Sequence, residues 1–143
     1  MTTETKSAVV QTVGLDHIVL HVTDLQRSKE FYMGVLGMTL DKEWPSHAFL
    51  RCGSNEIGIF EAWGDSKQQV RGYSEFDHIA LRVDSGSIEE IKERVQAAGF
   101  ECLPRGEGLG WDPTPDTGVY IADPDGHRIQ LLSPDEYLNR KKG

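Results

Sequence analysis

The sequence is short of cysteine, of long apolar runs and of positive charge. Its 143 residues include two cysteines, Cys52 and Cys102, too far apart for CxxC or zinc-ribbon spacing. That excludes a disulfide scaffold and a cysteine-built zinc site, and it reads as two reduced thiols in a cytoplasmic protein. No apolar run approaches the ~18 residues of a transmembrane helix. The formal net charge is −8, so there is no basic face to neutralise phosphates. The one basic cluster, Arg140-Lys141-Lys142, stands at the end of the chain. Nucleic acid and anionic membranes are therefore not expected as partners, and a small molecule is. The opening stretch, Met1 to Thr12, lacks the basic start and apolar core of a signal peptide and reads as a flexible tail over residues 1–13. The length suits one domain with its own core.

What is present is a repeat. Leu15-Asp16-His17-Ile18-Val19-Leu20-His21-Val22 matches Phe76-Asp77-His78-Ile79-Ala80-Leu81-Arg82-Val83. Both alternate with the strand period. Ile18, Leu20 and Val22 share one face, as do Ile79, Leu81 and Val83, while His17 and His78 take the opposite face. A helix follows each strand. The first, capped by Thr23 or Asp24, carries Leu25, Phe31, Tyr32, Val35 and Leu36 and stops at Gly37. In the second, Ser87 and Glu90 form an S-x-x-E capping box. Ile88, Ile91, Val95 and Ala98 make its apolar stripe, and Gly99 ends it.

Three shorter strands are predicted in each half. They lie near Thr39 to Glu43, Ala48 to Cys52 and Glu56 to Glu61, and then near Glu101 to Pro104, Gly118 to Ala122 and Arg128 to Leu132. Ile57-Gly58-Ile59-Phe60 falls over Ile129-Gln130-Leu131-Leu132. Asp123-Pro124-Asp125-Gly126 has turn chemistry, Pro setting φ and Gly taking positive φ. The result is an α+β fold of two tandem βαβββ modules, 14–63 and 76–134, with a linker at 64–75 and a C-terminal tail at 135–143. One face of each sheet packs on its helix and the other lines a cavity. The long Gly-, Pro- and Asp-rich stretch from Pro104 to Gly118, with Trp111 in its middle, reads as a lid or as an ordinary surface loop.

These motifs resemble the vicinal oxygen chelate superfamily, which includes glyoxalase I, extradiol dioxygenases and bleomycin-resistance proteins. The resemblance rests on D-H-I-V-L in module one, D-L-x-R-S-x-x-F-Y-x-x-V-L-G in its helix, and D-H-I-A-L and D-P-D-G-H-R-I-Q-L-L in module two. It implies modules joined edge to edge in a cupped mixed sheet, with helices on the outer face. It also implies metal ligands on the first and fourth strands of each module, at His17, Gly58, His78 and Gln130. Gly58 has no side chain to offer, which leaves His17, His78 and Gln130 for a divalent ion such as Fe(II), Mn(II), Ni(II) or Zn(II).

Histidine is the commonest metal ligand, and two at equivalent positions of a repeat point to one shared site. Gln130 is neutral, so an ion here keeps more of its charge than beside a carboxylate. The site is accordingly weak, selective for another metal, or vestigial. Glu61 has the parity of Ile57 and Ile59 and is only a spare carboxylate. Without carboxylates at 58 and 130 there is no obvious proton shuttle for an isomerase. A His-His-X set with open positions resembles an extradiol dioxygenase acting on a small oxygenated or aromatic compound. Tyr120, ten residues before Gln130, resembles the active-site tyrosine of that branch, and packing in a strand is its other reading.

His21 is a candidate acid or base. Phe60, Arg82, Arg128 and Trp111 are candidate pocket residues, the two arginines suiting an anionic group. Two other functions stay open: a glyoxalase-like lyase or isomerase, and a metal-free ligand-binding protein of the bleomycin-resistance kind. A homodimer is expected.

Overall fold

The computed structural model describes residues 8–10, 13–62, 78–103 and 119–139. The linker, the stretch around Trp111, Phe76, Asp77 and the basic terminus lie outside the described residues. The first module runs β1 (His17–Val22), α1 (Leu25–Lys29), a π-helical continuation over Glu30–Val35, β2 (Thr39–Trp44), β3 (His47–Cys52) and β4 (Asn55–Glu61). The second runs β5 (Ile79–Arg82), α2 (Ile88–Ala97), β6 (Val119–Ala122) and β7 (Arg128–Leu132), followed by α3 (Pro134–Asn139). Two sheets result, ordered β1-β4-β3-β2 and β5-β7-β6. In each, the opening strand pairs parallel with the last strand of its module and the other pairings are antiparallel. A parallel pair needs a crossover, which the helix supplies. Among the described residues no helix is long and apolar enough to cross a membrane.

The strand alternation sorts the side chains as the sequence predicts. Leu20, Val22, Ala48, Leu50, Ile57 and Ile59 are buried on the helix side of the first sheet. Ile79, Ile121, Ile129 and Leu131 do the same in the second, beneath Ile91 and Val95 of α2. Ser87 and Glu90 form the reciprocal capping box, satisfying two otherwise orphaned backbone N–H groups.

Three expectations differ from the structure. The first helix is not uniform: after Lys29 it widens, with Leu36 N–H donating to the Phe31 carbonyl at 3.2 Å. The wider turn brings two consecutive residues, Phe31 and Tyr32, into the core and leaves Val35 exposed. No strand forms over 101–103, where Leu103 N–H makes one bond to the Tyr120 carbonyl at 2.8 Å; Pro104 is outside the described residues. The expected terminal tail starts as α3, whose first turn is closed by Ser133 N–H donating to Glu136 Oε1 at 2.9 Å. The Ser133-Pro134-x-Glu136 pattern carries that start signal.

A buried polar joint ties the modules together. Tyr32 Oη donates to Asp123 Oδ2 at 2.7 Å. Asp123 Oδ1 accepts from the backbone N–H of Asp125 at 2.9 Å and of His127 at 2.7 Å. Asp125 in turn accepts from the Thr23 hydroxyl at 2.6 Å and the Thr23 N–H at 3.1 Å. His127 Nε2 donates to the His21 carbonyl on β1 at 3.0 Å. Burial, followed by the charge of Asp123, raises the Tyr32 phenol far above its ordinary range, so it stays a neutral donor. Burial also pushes the Asp123 carboxyl up, against the pull of its donors.

Replacing Tyr32 by Phe removes a buried bond to a charged acceptor and should cost about 2 kcal/mol, read from urea midpoints. Asp123 is raised in the folded state, so it favours folding most at pH below its unfolded value and progressively less as pH rises through the raised one. Asp123→Asn cannot titrate. The stability of wild type relative to this variant should therefore fall as pH rises above the ordinary carboxylate range of about 4, and a flat difference would contradict the assignment.

Candidate functional site

The faces turned away from the helices hold the chemistry. On β1 that face carries His17, Val19 and His21, exposed where Leu20 and Val22 are buried. Parallel pairing sets His17 beside Glu56, Val19 beside Gly58 and His21 beside Phe60. Antiparallel pairing then sets Phe49 of β3 beside Gly58 and His47 beside Phe60. His17 Nδ1 hydrogen-bonds Asp16 Oδ2 at 2.8 Å. An imidazole held by a carboxylate on one nitrogen presents the other outward as a metal donor. Its ring meets Phe49 edge to face, with centroids 5.2 Å apart and planes at 90°.

Module two repeats this plan with polar residues. His78 sits immediately before β5, and Tyr120 of β6 is the register partner of Gln130 of β7. His78 and Tyr120 meet edge to face at 5.4 Å and 83°. The Arg128 guanidinium lies 6.0 Å from the Tyr120 ring centroid, and Tyr120, Arg128 and Gln130 are all buried. His17–Phe49 and His78–Tyr120 are thus the same contact in two copies. Phe49 is paired with Gly58, and Tyr120 with Gln130. In module one the phenol has become a phenyl and the amide side chain is gone.

Gly58 is closed by its neighbours. A Cβ there would stand 2.9 Å from Phe49 Cε1, 3.1 Å from Phe60 Cε1 and 3.2 Å from Val19 Cγ2. The two rings occupy the space that a ligating carboxylate would need. Glycine in a strand marks such close approaches.

The spare carboxylates are engaged elsewhere. Glu61 accepts from Leu25 N–H at 2.9 Å and so caps α1, consistent with its predicted parity. Glu56, the register partner of His17, pairs with Arg51 at 3.2 Å, and Arg51 also reaches Asp41 at 3.4 Å. A hydrogen bond between the two carboxyls raises Glu56 and lowers Asp41. Sequence reading missed this trio because Asp41 reaches it through a break in the β2–β3 register between Leu40 and Lys42.

The remaining expected site residues separate. His21 shares the His17 face, and its backbone carbonyl is held by His127. Phe60 lies on that face too, stacked on His47 at 4.3 Å. The Arg82 guanidinium lies 5.0 Å from the Tyr137 ring centroid of α3. Trp111 lies outside the described residues. Among the described residues no three His, Cys, Asp or Glu side chains form a metal-holding group. His17 stands on β1 of module one, and His78 stands two residues before Ala80, the register partner of Gln130, in module two. Their side chains offer two aromatic nitrogens and one neutral oxygen, a donor set suited to a borderline divalent ion.

Residues 14–131 match the Glyoxalase/Bleomycin resistance protein/Dioxygenase superfamily. This chain belongs to that family. It is 30% identical over 118 residues to the glutathione transferase FosA of Serratia marcescens, covering 82% of this chain and 78% of that one. It is 32% identical over 126 residues to lactoylglutathione lyase of Escherichia coli O157:H7, covering 81% and 89%. Among solved structures, the fosfomycin resistance protein FosX of Listeria monocytogenes, complexed with Mn(II) and sulfate, superposes with a TM-score of 0.64 at 23% identity, covering 90% and 99%. These relatives are named as a glutathione transferase, a lyase and a fosfomycin resistance protein. They favour the glyoxalase-like alternative over the extradiol dioxygenase expected from the His-His-X pattern.

Within this superfamily fold, Gly58 becomes a test of packing. Gly58→Ala should destabilise by about 1–3 kcal/mol, as overpacking does, read by thermal melting. Phe49→Leu in the same chain should recover most of the loss.

Proposed function

We propose that this protein is a metal-dependent enzyme that transfers a small thiol of the glutathione class to a small electrophile carrying an activated carbon–oxygen bond. The observation that carries this reading is the filled space at Gly58. With Phe49 and Phe60 there, and with Glu56 and Glu61 engaged, no carboxylate on β4 is free to shuttle a proton. Thiol addition does not require one beside the substrate carbon. The sulfur–carbon bond forms, the carbon–oxygen bond breaks, and the thiol proton ends on the released oxygen.

His17, His78 and Gln130 would hold the ion. When bound, it would supply Lewis-acid polarisation of the electrophile's oxygen. Tyr120, which meets the His78 ring, would donate a hydrogen bond to the developing oxyanion, and Arg128, near the Tyr120 ring, would add positive charge behind it. His21, on the His17 face, is an acid or base candidate for the released oxygen. Two copies of the chain complete the proposal: β1 and β5 each lie at a sheet edge, open to pairing with another strand. A lyase is the second reading, favoured by the 32% identity to lactoylglutathione lyase.

Untagged protein with Mn(II), glutathione and styrene oxide should consume thiol, and chelation should abolish this. His17→Ala should lower the rate at least about 100-fold, in the range for lost ligands and their supports. Thioester formation from the glutathione–methylglyoxal hemithioacetal, without epoxide turnover, would instead establish the lyase. Loss of both activities would overturn the assignment. Gln130→Glu should tighten Mn(II) binding roughly tenfold, about 1.4 kcal/mol, measured by calorimetric titration.

A further inference from the structure

The two halves of the repeat have diverged in chemistry. Module two presents His78, Tyr120, Gln130 and Arg128. The corresponding face of module one presents rings. Trp44 and His47 stack at 4.5 Å with planes 15° apart, and His47 and Phe60 stack at 4.3 Å and 20°. Phe49 stands nearly perpendicular to all three, at 6.2 Å from Trp44, 6.4 Å from His47 and 5.7 Å from Phe60. It also touches His17. A continuous aromatic surface therefore runs from His17 across Phe49 and Phe60 to Trp44.

This surface is not core packing. Its sheet buries Ala48, Leu50, Ile57 and Ile59 on the opposite side. His47, Phe49 and Phe60 remain half-buried, and Trp44 is 42% exposed. Nor is it a by-product of bulky residues alone, because Phe49 and Phe60 reach their positions over Gly58, where any side chain would displace them. Aromatic groups gain attraction beyond area burial from stacked or edge-on neighbours, so such a surface distinguishes a flat ring from a saturated one of similar size.

We infer that the Phe49–Phe60–His47–Trp44 surface is a specificity subsite that receives a flat aromatic group of the substrate, while module two handles its polar, reacting end. The inference rests on the proposed function only in taking the His17 face as the substrate side. Continuity with His17 argues for a small-molecule occupant, because the ring adjoining that imidazole is also the ring covering Gly58. The electrophile is then an aryl-bearing compound rather than a short aliphatic one.

The test is calorimetric titration of the full chain with 2-naphthol and with decahydro-2-naphthol, in excess chelator and again with Mn(II). The aromatic probe should bind at least fivefold more tightly than the saturated one under both conditions. In Phe49→Leu/Phe60→Leu the preference should fall below twofold. Trp44→Leu, at the exposed end of the stack, should reduce it without loss of thermal stability, which keeps the test decisive if the double variant does not fold. Equal affinity for the two probes in wild type, a preference unchanged in both variants, or no binding of either probe because a second copy covers the face would each overturn the inference. Because the preference is read in chelator, failure of the metal-dependent thiol reaction does not mask it.

Discussion

One buried hydrogen bond, from Tyr32 Oη to Asp123 Oδ2, gives direction to the contact between the two modules. They already share an apolar cluster, in which Phe31 meets Phe100, but apolar burial is non-directional. Asp123 supplies the direction because both of its oxygens are used: one by Tyr32 from module one, the other by two N–H groups of its own turn. The same turn presents Asp125 to Thr23 and His127 to the His21 carbonyl. The end of β1, and with it the strand that carries His17, is thereby anchored to the β6–β7 turn of the other module. Burying a carboxylate is unfavourable unless it is well bonded, and the raised Asp123 carboxyl reflects that opposition. A cost of that kind is tolerable where the bond fixes a geometry that apolar packing leaves loose.

The π-helical turn follows from the same requirement. The widened turn carries both residues of the joint, Phe31 against Phe100 at a ring separation of 5.4 Å and Tyr32 against Asp123. Such turns are rare and occur mostly where function constrains a helix. Here the constrained function is the joint.

Much of the fold was legible in the sequence because it rests on local periodicity. The alternation around His17 and His78, the Ser87–Glu90 box and the Asp123–Gly126 turn each carry their own signal over a few residues. The parity of Glu61 was legible for the same reason, although its role as the acceptor for Leu25 N–H was not. The rest depends on pairs distant in sequence. Tyr32 and Asp123 are 91 residues apart, and the Asp41–Arg51–Glu56 trio passes through an irregular strand register. Neither leaves a trace in spacing. The strand expected at Glu101 to Pro104 is not formed over the described residues 101–103, where Leu103 N–H bonds the Tyr120 carbonyl of β6 without a ladder.

The candidate site shows the same division. His17, His78, Gln130 and Tyr120 could be chosen from the repeat alone, and Gly58 could be recognised as an absent ligand. What the repeat could not show is why the ligand is absent. A missing carboxylate can mean decay, in which case the vacated space would be open and the neighbouring residues indifferent. Here Phe49 and Phe60 fill it to within 2.9–3.1 Å of where a Cβ would stand. Phe49 also holds the position that Tyr120 holds in module two. Glycine beneath and phenylalanine above fit each other, and together they make an apolar wall next to His17. His17 keeps its Asp16 bond at one edge of that wall, where a polar group and a flat apolar group of one ligand could be held by neighbouring residues.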